Sequence, residues 1–101
     1  MWCDKEEYEL LVALTKGDET AFECIYYRYS ARIFANILRM VKSESLAQEL
    51  LQEIFVKLWS KRHLINPQKP FTVYLLRIAE NTVFVNKLYF INTDPFFVFC
   101  T

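Results

Sequence analysis

Apolar side chains recur at three- and four-residue steps along most of this chain, and that period predicts four helices. The first runs from about Asp4 to Lys16, with Asp4, Glu6 and Glu7 in the opening turn, where the helix dipole favours carboxylates, and Tyr8, Leu11 and Val12 on one face. Gly17 is placed to stop it, and Asp18 to cap the next. The second helix spans about Glu19 to Val41, its core line being Phe22, Ile25, Tyr26, Tyr29, Ile33, Ile37 and Val41. Ser43 and Ser45 are alternative caps for a third, the latter with Gln48 three residues on, as in a capping box. This helix extends to about Arg62 and buries Leu46, Ala47, Leu50, Leu51, Ile54 and Leu58. Asn66 to Pro70 is a loop, with Pro70 suited to the first turn of a fourth helix that carries Phe71, Tyr74, Leu75, Ile78 and Ala79 to about Val83. Short connections make the helices antiparallel neighbours, so the expected fold is an all-α bundle of about four helices.

Composition agrees. Of 101 residues 53% are apolar, too many for a disordered chain, while one Gly and three Pro are too few for a hairpin-rich β fold. There is room for one domain of ordinary size. No apolar run is long enough for a membrane span, and the acidic N-terminus lacks the apolar stretch of a signal peptide. Cys3, Cys24 and Cys100 are odd in number and widely spaced, which fits reduced thiols in a cytosolic protein.

Twelve basic residues balance twelve acidic ones, so any charged surface must come from clustering. Seven acidic residues and two Lys lie between Asp4 and Glu23, whereas Arg28 to Lys42 holds four basic residues and no acidic one. Arg28, Arg32, Arg39 and Lys42 fall within roughly 80° on a helical wheel. That stripe reads either as a solvated face paired to the acidic first helix or as a set of phosphate contacts. On the third helix Glu49, Gln52, Glu53 and Val56 share the side opposite the core stripe. It reads as an ordinary polar face with one stray apolar residue, or as a partner-docking face flanked by Phe55 and Trp59. Catalytic chemistry is sparse: His63 stands alone beside Lys61 and Arg62, the Glu49/Glu53 pair has no companion ligands for a metal, and no nucleophile–base pair or Gly-rich phosphate loop occurs. Neither enzyme activity nor a cofactor is expected.

Four segments carry a family resemblance. Leu50 to Trp59 resembles the LLQEVFLKLW segment of bacterial extracytoplasmic-function sigma factors, of the sigma-70 family. Gly17 to Phe22 resembles their GDExAF turn, Tyr26 to Tyr29 their YxRY, and Tyr74 to Asn81 their YLFRIAxN. All four appear in the family's order and spacing. The resemblance implies region 2, the domain that docks on core RNA polymerase and opens the −10 promoter element. It implies that Glu49, Gln52 and Glu53, with Val56 and Trp59, meet the clamp helices of the polymerase β′ subunit. It also implies that the Asn66–Pro70 loop and the start of the fourth helix hold a flipped −10 base, with Phe71 and Tyr74 stacking on unpaired bases. Arg77 and Asn81 then bind phosphate and base edge, and Arg28 and Arg32 add phosphate contacts. An anti-sigma factor is a further candidate partner, and the setting is bacterial cytoplasm.

The pattern departs after Val83, where the family's basic run gives way to five of the nine Phe residues between Phe84 and Thr101. The chain therefore reads as a region 2-like domain over 1–83, then a divergent or truncated aromatic tail over 84–101 with no second helix-turn-helix domain. That tail is expected either to pack on the bundle or to drive self-association. The alternative function is a helical interaction module that binds polymerase or an anti-sigma factor without initiating transcription.

Overall fold

The computed structural model describes residues 5–93, with side chains through Val85. Four α-helices form the bundle: α1 (Glu7–Thr15), α2 (Glu19–Val41), α3 (Glu44–Ser60) and α4 (Phe71–Thr93), with a 3-10 turn at Arg62–Leu64 between the last two. No strand occurs among the described residues. The long α2 packs against all three other helices, and α3 also packs on α4.

The boundaries have local causes. Gly17 takes φ +88°, its N–H donating to Leu14 O and that of Asp18 to Ala13 O, a Schellman ending for α1. The Asp18 carboxylate then accepts from Thr20 N (2.9 Å) and Ala21 N (3.3 Å), capping α2. Ser43 rather than Ser45 caps α3, its hydroxyl accepting from Leu46 N. Between α2 and α3 the chain turns through Lys42, the one non-glycine residue with positive φ among those described (φ 57°, ψ 32°). α3 ends at Ser60, two residues short of the expected Arg62, because the backbone tightens into the 3-10 turn.

The core departs from the expected line in three places. On α1 it is Leu10, Leu11 and Leu14 that are buried, with Tyr8 exposed and Val12 half-buried, so the helix is rotated from the expected face. Phe55, expected as a flank of the docking face, is buried; its ring meets Tyr26 at 4.8 Å and Phe22 at 6.2 Å between centroids. An aromatic side chain at the edge of the α3 stripe stabilises by about 1.5–3 kcal/mol when buried, and α2 supplies rings to receive it. Phe71 is likewise a core residue, treated below. Cys24 is buried and disulfide-bonded, which corrects the expectation of three reduced thiols. α4 continues past Val83 to Thr93. At the start of the aromatic tail Phe84 and Val85 are exposed, and the rest of its expected packing or association falls on side chains outside those described.

Candidate nucleic-acid cavity and docking face

The loop before α4 is closed by two hydrogen bonds of its own. Asn66 and Pro67 open a turn closed by Lys69 N–H donating to Asn66 O at 3.1 Å, and the Asn66 side-chain oxygen accepts from Gln68 N at 3.0 Å. Asn at the first position and Pro at the second are the residues such a turn favours. Loop and helix together enclose an open cavity of about 450 Å³, bordered by Asn66, Lys69, Tyr74 and Arg77 on its polar sides and by Leu64, Ile65, Pro70, Phe71 and Val73 on its apolar ones. Its size is that of a small-molecule site.

Of the residues expected to touch DNA, the fold brings Phe71, Tyr74 and Arg77 to this cavity. Asn81 is exposed one turn further along α4, outside the lining. Phe71 is 1% exposed, its ring edge-on to Tyr29 at 5.3 Å, so it forms the cavity floor and presents no face to a base. That corrects its expected role as a stacking platform. The physical reason is position: as the first residue of α4, Phe71 points to the same side as Leu75, Ala79 and Val83, all buried. Tyr74 is half-buried, and burial pushes its phenol above the usual tyrosine range.

Beneath the floor, Tyr29 donates its hydroxyl hydrogen bond to the Glu7 carboxylate, tying α1 to α2 at the point where α2 supports Phe71. Burial chiefly, and the Glu7 contact with it, raise the Tyr29 pKa, while Thr72 and Arg28 oppose the shift. Arg28, Arg32 and Arg39 on α2, and Lys42 just past its end, are all exposed, the three helical ones on the flank roughly 60–100° from the Tyr29 line that meets α4. Arg28 donates to the backbone carbonyl of Lys5 at 2.5 Å, and Arg39 to the Asn36 side chain. The stripe is thus anchored partly to neutral acceptors.

On α3, Glu49, Gln52 and Glu53 are exposed, and Val56 is 63% exposed among them. Trp59 continues this side but is half-buried, packed edge-on to Phe22 at 5.1 Å and covered by the Arg62 guanidinium at 4.2 Å. Arg62 also donates to Trp59 O at 2.8 Å, so the ring is fixed at one end of the face. Beside the face lies an open groove of about 400 Å³ between α2 and α3, bordered by Tyr26, Phe34, Gln48 and Gln52 among others.

Two features escaped the sequence reading. The groove joins helices that meet only in the fold. The other is a link between faces: Lys57 Nζ lies 3.5 Å from Glu53 and donates to Thr82 Oγ1 at 3.2 Å, while Thr82, fully buried on α4, donates to Ile78 O at 2.8 Å. The i,i+4 spacing of Glu53 and Lys57 was a signal for the first half. No group of three or more metal-ligating side chains occurs among the described residues, nor a helix long and apolar enough to cross a membrane.

The bundle thus carries a cavity bordered by Lys69 and Arg77 at one junction and an exposed polar face on α3. Residues 25–84 match Sigma-70 region 2, and the chain belongs to that family. It is similar to the RNA polymerase sigma-H factor of Pseudomonas aeruginosa, 29% identical over 82 residues that cover 81% of this chain and 42% of that protein. It is also similar to the RNA polymerase sigma factor CarQ of Myxococcus xanthus, 34% identical over 65 residues, covering 64% of this chain and 37% of the relative. The chain thus spans less than half the length of either. No solved structure matches it significantly.

Proposed function

We propose that this chain is the region 2 part of a bacterial extracytoplasmic-function sigma factor, working in the cytoplasm by recognition and not by catalysis. Residues 1–83 are the recognition domain and 84–101 an appended aromatic segment. In this reading Glu49, Gln52, Glu53, Val56 and Trp59 dock on the clamp helices of the core polymerase β′ subunit, and an anti-sigma factor competes for the same face. Exposed carboxylates and an amide can meet a basic partner helix, while Val56 supplies a central apolar contact. The cavity takes one unpaired base of the −10 element, with Tyr74 against it and Arg77 and Asn81 on the adjoining backbone or base edge. Arg28 and Arg32 add phosphate contacts along α2.

The observation that carries this reading is the extent of the family match: residues 25–84 contain both the α3 face and the cavity. The test is the double variant Gln52→Ala, Glu53→Arg, which changes exposed side chains only. It should abolish pull-down of core polymerase while leaving the helical circular dichroism intact. Full binding by the folded variant refutes the docking assignment.

A further inference from the structure

We infer that Lys57 is a positioning residue for partner docking: tied to the buried Thr82 of α4, it fixes the Glu53 carboxylate on the exposed face of α3. The inference rests on the polymerase-docking reading above and concerns how that face is made ready before a partner arrives. Thr82 is the one buried polar side chain among the described residues. Its single hydroxyl proton goes to Ile78 O at 2.8 Å, so toward any other neighbour its oxygen can only accept. An ammonium can only donate, and Lys57 Nζ meets that oxygen at 3.2 Å across the junction of α3 and α4. The two residues lie 25 positions apart in the sequence, so this tether is supplied by the fold and not by helix periodicity.

The same ammonium lies 3.5 Å from Glu53 Oε2. An ordinary i,i+4 pair on a helix surface contributes little, because two long side chains must both give up rotamer freedom to hold one geometry. Here one of the two is already held from another helix. Glu53 stands between Glu49, four residues before it, and Lys57, four residues after. Like charge on one side and opposite charge on the other draw its carboxylate toward Lys57. Oε2 is thereby turned to the ammonium, while Oε1 has no partner among the described residues and is left to accept from a docking helix. A mobile side chain that a partner must order on contact weakens association by about two- to tenfold, and a carboxylate ordered beforehand avoids that loss.

The test is a double-mutant cycle on the complete chain of 101 residues, read as affinity for core RNA polymerase by fluorescence anisotropy. Thr82→Val keeps the shape of the buried side chain and removes the acceptor for Lys57. It should weaken binding by about three- to tenfold, the scale of one side chain left to be ordered on association. In a Glu53→Ala background, where no carboxylate remains to be positioned, the same change should alter affinity by less than about 1.5-fold. Lys57→Met, a change at a half-exposed site, keeps the cycle readable if Thr82→Val lowers the thermal midpoint, and its effect should likewise vanish without the Glu53 side chain. Unchanged affinity in the folded single variants overturns the inference while leaving docking in place. So does a loss of equal size with and without Glu53, which would mean that Thr82 serves the fold alone or that Lys57 touches the partner itself. Full binding by Glu53→Ala, or no binding by the parent chain, overturns the docking role of Glu53, and this inference with it.

Discussion

Replacing Phe71 by Leu separates a core residue from a DNA contact. The ring is 1% exposed and stands edge-on to Tyr29 at 5.3 Å. Leucine keeps most of the apolar volume and loses the aromatic edge contact, worth about 0.5–1.5 kcal/mol, together with a small packing deficit. A total near 1–2 kcal/mol is expected. In a domain of this length each kcal/mol moves the thermal midpoint by about 4–8 °C, so the variant should melt roughly 4–16 °C lower. Affinity for a single-stranded −10-like oligonucleotide, measured well below that midpoint, should change by less than about twofold. The opposite role has a different signature. Loss of a stacked base costs roughly 1–3 kcal/mol, which is about a 5- to 140-fold drop in affinity, with no need for the midpoint to move. Calorimetry and anisotropy on the same preparation therefore decide the matter. An unshifted midpoint with a tenfold weaker complex would show that Phe71 works at the surface, contrary to its burial.

Tyr74→Leu should do the reverse, lowering single-strand affinity more than the midpoint, since the ring borders the cavity and is only half-buried. Asp18→Ala removes the acceptor for Thr20 N and Ala21 N and should cost about 1 kcal/mol, read as a lower midpoint in thermal circular dichroism. Gly17→Ala should cost about 1–2 kcal/mol for a conformational reason, because the nearest side-chain atoms to the new methyl are those of Arg62 at an ordinary 3.7 Å. For alkaline stability the sign follows from Tyr29, whose native pKa is raised chiefly by burial and then by Glu7. Its contribution is complete below the unfolded value near 10 and disappears as pH rises through the native one, and Tyr29→Phe should flatten that limb in denaturant titrations followed across pH. DNA binding by the chain should show a shallow salt slope, because the contacts assigned to Arg28, Arg32 and Arg77 would release few counterions, and a formal net charge of +0 adds no long-range steering.

Most of the helical architecture was legible because its punctuation is local. Gly17 and Asp18 bound α2 within their own hydrogen bonds, and the expected span Glu19 to Val41 is the observed one. α1 was harder. Leu10, Leu11, Val12, Ala13 and Leu14 run consecutively, so period alone does not say which face turns inward, and contact with α2 chose Leu10, Leu11 and Leu14. Phe55 and Phe71 were misplaced for a related reason. Each lies where an aromatic ring can serve either core or surface, and only the neighbouring rings, Tyr26 for one and Tyr29 for the other, decide it. The loop at Asn66 was visible from its Asn-Pro pair. The direction of its amide was not, because it depends on a bond to Gln68 that composition does not encode.

Lys42 closes α2 in a left-handed conformation that costs a residue with a side chain about 1 kcal/mol relative to glycine. Its cation sits at the negative end of the helix dipole, a placement that returns about 0.3–1 kcal/mol at low ionic strength. The two nearly cancel, so the chain keeps a charge at this corner at almost no net cost to folding. The balance belongs to the solvent as much as to the sequence. Salt screens the dipole attraction and leaves the torsional cost untouched. Lys42→Gly should therefore be close to neutral in dilute buffer and increasingly stabilising as salt is added. The corner thus records an ionic strength, and the concentration at which the two residues become equivalent marks the solvent in which this lysine ceases to be worth keeping for stability alone.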